Sequence, residues 1–326
     1  MMLNERQRVR KAIRFEKPDR VPMLHFNFDK EDSDIVLVDI QQHFGGADGL
    51  QSEWGFVWER VDGTMGQVRE PLLKTERDAA ALRAPALRAG ERMAAAKREM
   101  AQYGPDKYFL ASLQLSGFTT MSILRGFAQT LEDLVCAPEL AQAVADAVFG
   151  FETELIDLAA RCGFDGVAFY DDWGTQNGLF LSPQMWTELF LPRYKAQFGR
   201  VHAHGMDVYF HSCGQIMPII GGLFDAGVDM LNLSQPNLYD MEALGREYGG
   251  RRCFVIPVNY QTTLLTGGRE EIYADVARAV RCLGAAGGGL IGYAEDYSSL
   301  HMPAENLDYN VSAFRELGRY GEEGVL

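Results

Sequence analysis

His211 and Cys213 stand one residue apart in "DVYFHSCGQ", at the end of a run of apolar strand-forming residues. Successive side chains of a strand point to opposite faces, so an imidazole and a thiol at this spacing look the same way while Ser212 takes the other face. Two competent metal ligands would converge on one point, and three-ligand catalytic zinc sites use such mixed sets. The same pair also reads as a hydrogen-bonded core histidine beside an inert thiol. A second stretch, "YDDWGTQ", offers Asp171 and Asp172 as substrate-orienting or proton-relaying carboxylates, or as a cap and loop anchor for the helix expected from about Ser182.

The elements that would carry these residues recur along the chain as helix, Gly-containing turn, short apolar strand and polar exit. Candidate strands are 20–28, 108–116, 166–172, 207–213, 229–235, 253–259 and 289–295. Between them lie stretches such as "ELAQAVADAVFGFETELIDLAARCG", "PQMWTELFLPRYKAQFGRVHAHG" and "GREEIYADVARAVRCLG", with apolar positions spaced three and four apart. Alternating strands and helices predict an α/β fold with a parallel sheet. Seven or eight such units favour a closed (β/α)8 TIM-type barrel, distorted and with N-terminal helical additions. The eighth strand is not evident; "WGFVWERV" (54–61) is either that strand or a hairpin beside the barrel, and 62–107 reads as an insertion holding a helix or two.

Barrel chemistry sits at the C-terminal ends of the strands. Those ends are polar here: "HFNFD", "YDDWGTQ", "HSCGQ", "NLSQPN", "PVNYQ" and "YAEDYSS". They supply His25, Asn27, Gln176, Gln235 and Asn259 as candidate substrate contacts, with aromatic walls from Phe26, Tyr170, Trp173, Tyr260 and Tyr293. His301 could reach the pocket from the last loop. His202 and His204 read as helix-end residues facing solvent, and Cys253 as core at the start of a strand, away from the chemistry.

Composition narrows the function classes. With 326 residues, 47% hydrophobic and 23% charged, the chain has the profile of a globular enzyme. A formal net charge of -14 argues against a general nucleic-acid binder. The N-terminal segment lacks a signal-peptide core and no apolar run is long enough to span a bilayer, so a cytoplasmic protein without a membrane partner is expected. Five cysteines, an odd number, speak against a disulfide framework.

"DRVP", "YDDWGTQNGLFLSPQMWTELFLPRYK", "HAHGMDVYFHSCGQI", "GVDMLNLSQP" and "PAEN", in this order, resemble the uroporphyrinogen decarboxylase superfamily. The resemblance runs from residue 20 to about 320 and is strongest over 166–306, implying one uroporphyrinogen decarboxylase-like barrel domain over 1–326. True decarboxylases of that superfamily carry an arginine-rich segment after the first strand; this chain has "LHFNFDKED", whose Asp29, Glu31 and Asp32 would repel a polycarboxylate.

The chain is more similar to the zinc-dependent methyltransferase branch, which implies Zn2+ and a corrinoid supplied by a separate protein. In that branch the zinc is held by a His-x-Cys pair and a later Cys seven residues before the proline of "P-x-E-N". His211 and Cys213 match the pair; Asp296 stands where the later Cys would be, with Glu295 as the alternative ligand. Replacing thiolate by carboxylate favours oxygen leaving groups over thiols. The resemblance therefore implies transfer of a methyl group from a small, methoxylated and by preference aromatic donor to cobalt(I) of a corrinoid protein, with zinc as Lewis acid, and suggests a homodimer. A metal-independent decarboxylase and a non-catalytic ligand-binding relative are the alternatives.

Overall fold

The computed structural model describes residues 3–44, 51–59, 66–321 and 324–325. Eight parallel strands close into a barrel: β1 Met23–Phe26, β2 Ile35–Asp39, β3 Tyr108–Ser112, β4 Gly166–Tyr170, β5 Asp207–Ser212, β6 Met230–Leu233, β7 Cys253–Pro257 and β8 Leu290–Glu295. Each strand pairs with its neighbours in sequence, and β8 returns to β1 through Met23↔Gly292 to Phe26↔Glu295. The fold is the expected (β/α)8 barrel, surrounded by helices.

All seven expected strands are present, and the eighth is β2. The candidate 54–61 is not a barrel strand: Trp58–Glu59 pairs antiparallel with Gln67–Val68 as a hairpin, while Arg60 and Val61 lie outside the described residues. β2 breaks the alternation of strand and helix, because only residues 27–34 separate it from β1 and no helix intervenes. Parallel neighbours normally need a longer crossover. The seam is correspondingly thin, with Leu24↔Ile35 its one register pair, which is where the barrel is distorted. The insertion carries helices Glu76–Ala80 and Ala89–Tyr103; of the stretch 62–107, residues 62–65 lie outside the described ones.

Strand alternation sorts the side chains into two apolar layers. Leu24, Ile35, Leu37, Tyr108, Leu110, Ala168, Tyr209, Met230, Val255 and Ile291 fill the barrel interior. Their strand neighbours, such as Met23, Val36, Phe109, Val167, Phe210 and Leu231, pack outward under the helices. A filled interior leaves only the ends of the barrel for polar groups.

The N-terminal end is closed by helix α1, Glu5–Arg14, which starts at a reciprocal Asn4–Gln7 capping box. Its arginines meet the carboxylates at the strand starts. Arg6 and Arg10 bond Asp165 at 3.1 and 2.9 Å, Arg8 bonds Asp34 at 2.6 Å, and Arg14 pairs with Asp207. Asp34, Asp165 and Asp207 are all buried, and these pairs give each carboxylate a cationic partner there.

Candidate active site

At the opposite end the same alternation carries a further ring of mostly polar residues inward, one step above the apolar layer. Phe26, Asp39, Ser112, Tyr170, His211 and Glu295 follow Leu24, Leu37, Leu110, Ala168, Tyr209 and Tyr293 on the inner face, and all six line a cavity of about 650 Å³ at the barrel mouth.

His211, Cys213 and Asp172 meet in that cavity, with ligand atoms all within 4.8 Å of one another. Tyr170 and His211 are a register pair of β4 and β5, so the two residues following each strand run side by side. Their loops touch backbone to backbone: a Cβ on Gly214 would collide with Gly174, and Gly214 has φ of 79°. This close approach lets Cys213 N–H donate to Asp172 Oδ1 at 2.7 Å, and Asp172 Oδ1 lies 3.6 Å from His211 Nε2. Cys213 Sγ is 3.5 Å from His211 Nε2 and 3.2 Å from Ser234 Oγ.

The histidine tautomer follows from its neighbour. Asn232 Nδ2 donates to Val255 O at 2.8 Å, which turns Asn232 Oδ1 toward His211 Nδ1 at 2.6 Å. An amide oxygen only accepts, so Nδ1 carries the proton and the Nε2 lone pair faces Cys213. Burial pushes the Cys213 thiol well above its ordinary range, and the Asp172 charge pushes the same way. A thiolate is stable there only beside a compensating cation. The donors therefore fit a zinc-type ion: an oriented imidazole, a thiol that needs a cation to ionise, and a carboxylate.

Glu295 faces the same cavity from β8. It accepts hydrogen bonds from Tyr293 and Tyr297 at 2.7 and 2.9 Å, and burial raises its carboxyl above the usual carboxylate range. Asp296 and Glu295 both lie outside the three-residue group. Asp296 is exposed and accepts from Ser298 N–H at 2.8 Å, ordering a short turn.

Of the other expected site residues, His25, Asn27, Tyr170, Tyr260 and Tyr293 line the cavity. The His25 ring stacks on Phe28, with Nδ1 3.1 Å from Asp29 O. Asp171 points the other way from Asp172 and is fully buried. It accepts from Phe118 N–H, Thr119 N–H, the Thr119 hydroxyl and the Tyr194 hydroxyl. Burial drives its carboxyl well above the ordinary range, with Tyr194 and Thr119 partly offsetting this. The Thr119 hydroxyl in turn accepts from Asp172 N–H at 2.9 Å, so Asp171 positions Asp172 through one intermediary.

Trp173 is in the core, its indole N–H donating to Tyr194 at 2.9 Å. Gln235 is buried beneath the loop, accepting from Gly214 N–H and donating to Tyr260. Asn259 orders its own turn, and Gln176 and His301 are exposed outside the cavity lining. His202 and His204 sit at the end of helix Leu191–Ala203, bonded to Asp229 and Asp157.

The cavity also contains Lys30, Asp39, Ser112, Gln114, Ser234 and Tyr297, which the sequence reading did not select. Asp39 carries a signal, since Ile35, Leu37 and Asp39 alternate with Val36 and Val38. So does Ser234, in step with Asn232 along β6.

Among the described residues no helix is long and apolar enough to cross a membrane. A family model described as uroporphyrinogen decarboxylase (URO-D) matches residues 51–317. No curated protein matches the chain. Among solved structures, a methyltransferase from Methanosarcina mazei superposes with a TM-score of 0.75 at 16% identity, covering 96% of this chain and 99% of that one. The GH18 chitinase ChiB of Flavobacterium johnsoniae reaches a TM-score of 0.41 at 12% identity, over 69% of this chain and 80% of its own. At these identities the likeness is one of fold.

Proposed function

Since this chain belongs to the uroporphyrinogen decarboxylase family, we propose that it is the methyltransferase component of a corrinoid-dependent system. It moves a methyl group from a small methoxylated, preferentially aromatic donor to cobalt(I) of a separate corrinoid protein. The observation that carries this reading is the meeting of His211 Nε2, Cys213 Sγ and a carboxylate oxygen of Asp172 within 4.8 Å in the barrel-mouth cavity. The fold shared with a methyltransferase over nearly the whole chain supports it.

His211, Cys213 and Asp172 would hold zinc, with Glu295 an alternative carboxylate in the same cavity. Zinc, when bound, supplies a Lewis acid that stabilises negative charge on the departing oxygen. Around it the chain does the positioning. Asn232 fixes the His211 tautomer, Asp171 and Thr119 fix the Asp172 backbone, and Phe26, Tyr170 and Tyr293 form an aromatic wall for a flat donor. A set with one thiolate and one carboxylate is harder than one with two thiolates, which favours an oxygen leaving group. The C–O bond breaks with its electrons on oxygen, and the new bond to carbon uses the electron pair of cobalt(I). The cavity opens at the barrel mouth, where a corrinoid protein has access. A metal-independent decarboxylase of polycarboxylates is disfavoured by Asp39, Asp172 and Glu295 lining the pocket.

The test is purified protein, zinc, a reduced corrinoid protein and a panel of methoxyarenes, followed by cobalt methylation in the visible spectrum. Metal-dependent methylation that His211→Ala and Cys213→Ser abolish is expected. Turnover in the metal-stripped protein, or methylation of thiols in place of demethylation of ethers, would remove the proposal. Ligand binding with no turnover would identify a non-catalytic relative.

A further inference from the structure

Asp39 is a carboxylate that the metal-binding group leaves unused. It ends β2, while Asp172 follows β4 and Cys213 follows β5, so in a ring of eight strands Asp39 is set two and three strands around the mouth from the His211–Cys213–Asp172 group. It lines the cavity, is exposed within it, and its bonded partner is a neutral amide, Gln114 Nε2 at 2.8 Å. Gln114 is itself fixed. Its Oε1 accepts from His43 N–H at 2.7 Å and its backbone N–H donates to Ser112 Oγ at 3.1 Å. Its φ is 55°, a left-handed conformation that a non-glycine residue keeps only where its surroundings hold it. Asp39 is therefore a carboxylate held in place.

The only cation among the described lining residues is Lys30, and its ammonium is already engaged by Glu99 Oε1 and Leu37 O, each at 3.2 Å. The walls between the two poles are aromatic: Phe26, Phe44, Tyr170 and Tyr293. A carboxylate in an aromatic-lined cavity, with no free cationic side chain among the described lining residues, attracts positive charge through both the Coulomb term and the ring quadrupoles. It repels carboxylates and phosphates.

We propose that the donor taken by this pocket carries an ammonium group, seated against Asp39, with its aromatic ring along the tyrosine wall and its methyl ether at the His211–Cys213–Asp172 pole. The inference rests on the methyl-ether reading above and adds the charge of the substrate.

Three shape-matched probes test it by calorimetry on the zinc-loaded protein: 4-methoxybenzylamine, 4-methoxybenzyl alcohol and 4-methoxybenzoate. The amine is expected to bind tightest, by about tenfold over the alcohol, with the benzoate weakest. Asp39→Asn, which can still accept from Gln114, should erase the amine's advantage, and Asp39→Arg should turn the preference toward the benzoate. Equal binding of all three, tightest binding of the benzoate, or an amine preference that survives Asp39→Asn overturns the proposal. Cobalt methylation from the same probes is read separately. Asp39-dependent amine binding with no demethylation of any probe would remove the ether reading and leave the charge preference standing.

Discussion

His211 Nδ1 and Asn232 Oδ1 lie 2.6 Å apart, joining two residues that the barrel already pairs in register between β5 and β6. The contact sets which nitrogen of His211 is free to bind a metal, although Asn232 itself is not a ligand. Asn232→Leu removes the acceptor while keeping the size, so the imidazole can rotate and change tautomer. The expected outcome is metal affinity weaker by about 10- to 100-fold, as measured by competition with a chromogenic chelator, beyond the lowered thermal transition that losing the buried Asn232 bonds causes in the metal-free protein. Unaltered affinity would show that the bond has no part in holding the ring.

The third ligand is separable by substitution. Asp172→Asn should lower zinc content markedly, because Asp172 Oδ1 lies 3.6 Å from His211 Nε2 within the cluster. Asp296→Ala should leave metal content unchanged and only loosen the turn at Ser298. Glu295→Gln decides between Asp172 and Glu295, both of which line the cavity: metal loss there and retention in Asp172→Asn would reverse the assignment. Elemental analysis of the three variants reads all of this.

Glu152 sits fully buried behind the site, accepting from Gly117 N–H at 2.7 Å and Gln197 Nε2 at 2.8 Å. Burial pushes its carboxyl up to about 7 from the ordinary 4.5. The folded protein thus keeps a proton that the unfolded chain has lost. The stability this contributes is complete below about 4.5 and is lost as pH rises through about 7. Glu152→Gln mimics the protonated form at every pH. Urea unfolding should find variant and wild type nearly equal at low pH and the variant more stable, on the order of 2 kcal/mol, at mildly alkaline pH. A gap independent of pH would rule out Glu152 as the titrating group.

Gly117 opens the helix Gly117–Arg125 with φ of 51°, and a Cβ there would run into the Asp171 carboxylate. Gly117→Ala should cost about 2 kcal/mol or more, from backbone strain together with displacement of Asp171. Since Asp171 holds Asp172 through Thr119, the same variant should also bind metal more weakly. Calorimetric unfolding with and without zinc separates the two effects, and a variant of wild-type stability would show that the helix start can give way.

The parts of the site carried by strand alternation were legible in the sequence. His211 lies in β5 and Cys213 follows it directly on the same face, and the inner face of β8 continues from Tyr293 to Glu295 by the same rule. The rule also separates Asp171 from Asp172, once Tyr170 is known to point inward. What could not be read lies where the rule stops. Asp296, Gln176, Asn259 and His301 follow the ends of their strands, where loop geometry decides direction. Asp39 escaped for a different reason. β2 arrives without a preceding helix, so the pattern of alternating elements passed over it, and the cavity lost one wall in the reading.

The arginines of α1 add long-range contacts to a barrel that also closes its last strand onto its first. The helix emerges early, but the Arg14 partner Asp207 is 193 residues further along, and the Asp165 bonded by Arg6 and Arg10 follows by 159 and 155 residues. Until β4 and β5 have been made, the floor of the barrel cannot seal, and a basic amphipathic segment waits beside half a sheet. Such long-range closures slow folding relative to local contacts. The candidate metal site, whose Asp172, His211 and Cys213 lie on or just after β4 and β5, is therefore built from the same strands whose starts α1 must reach.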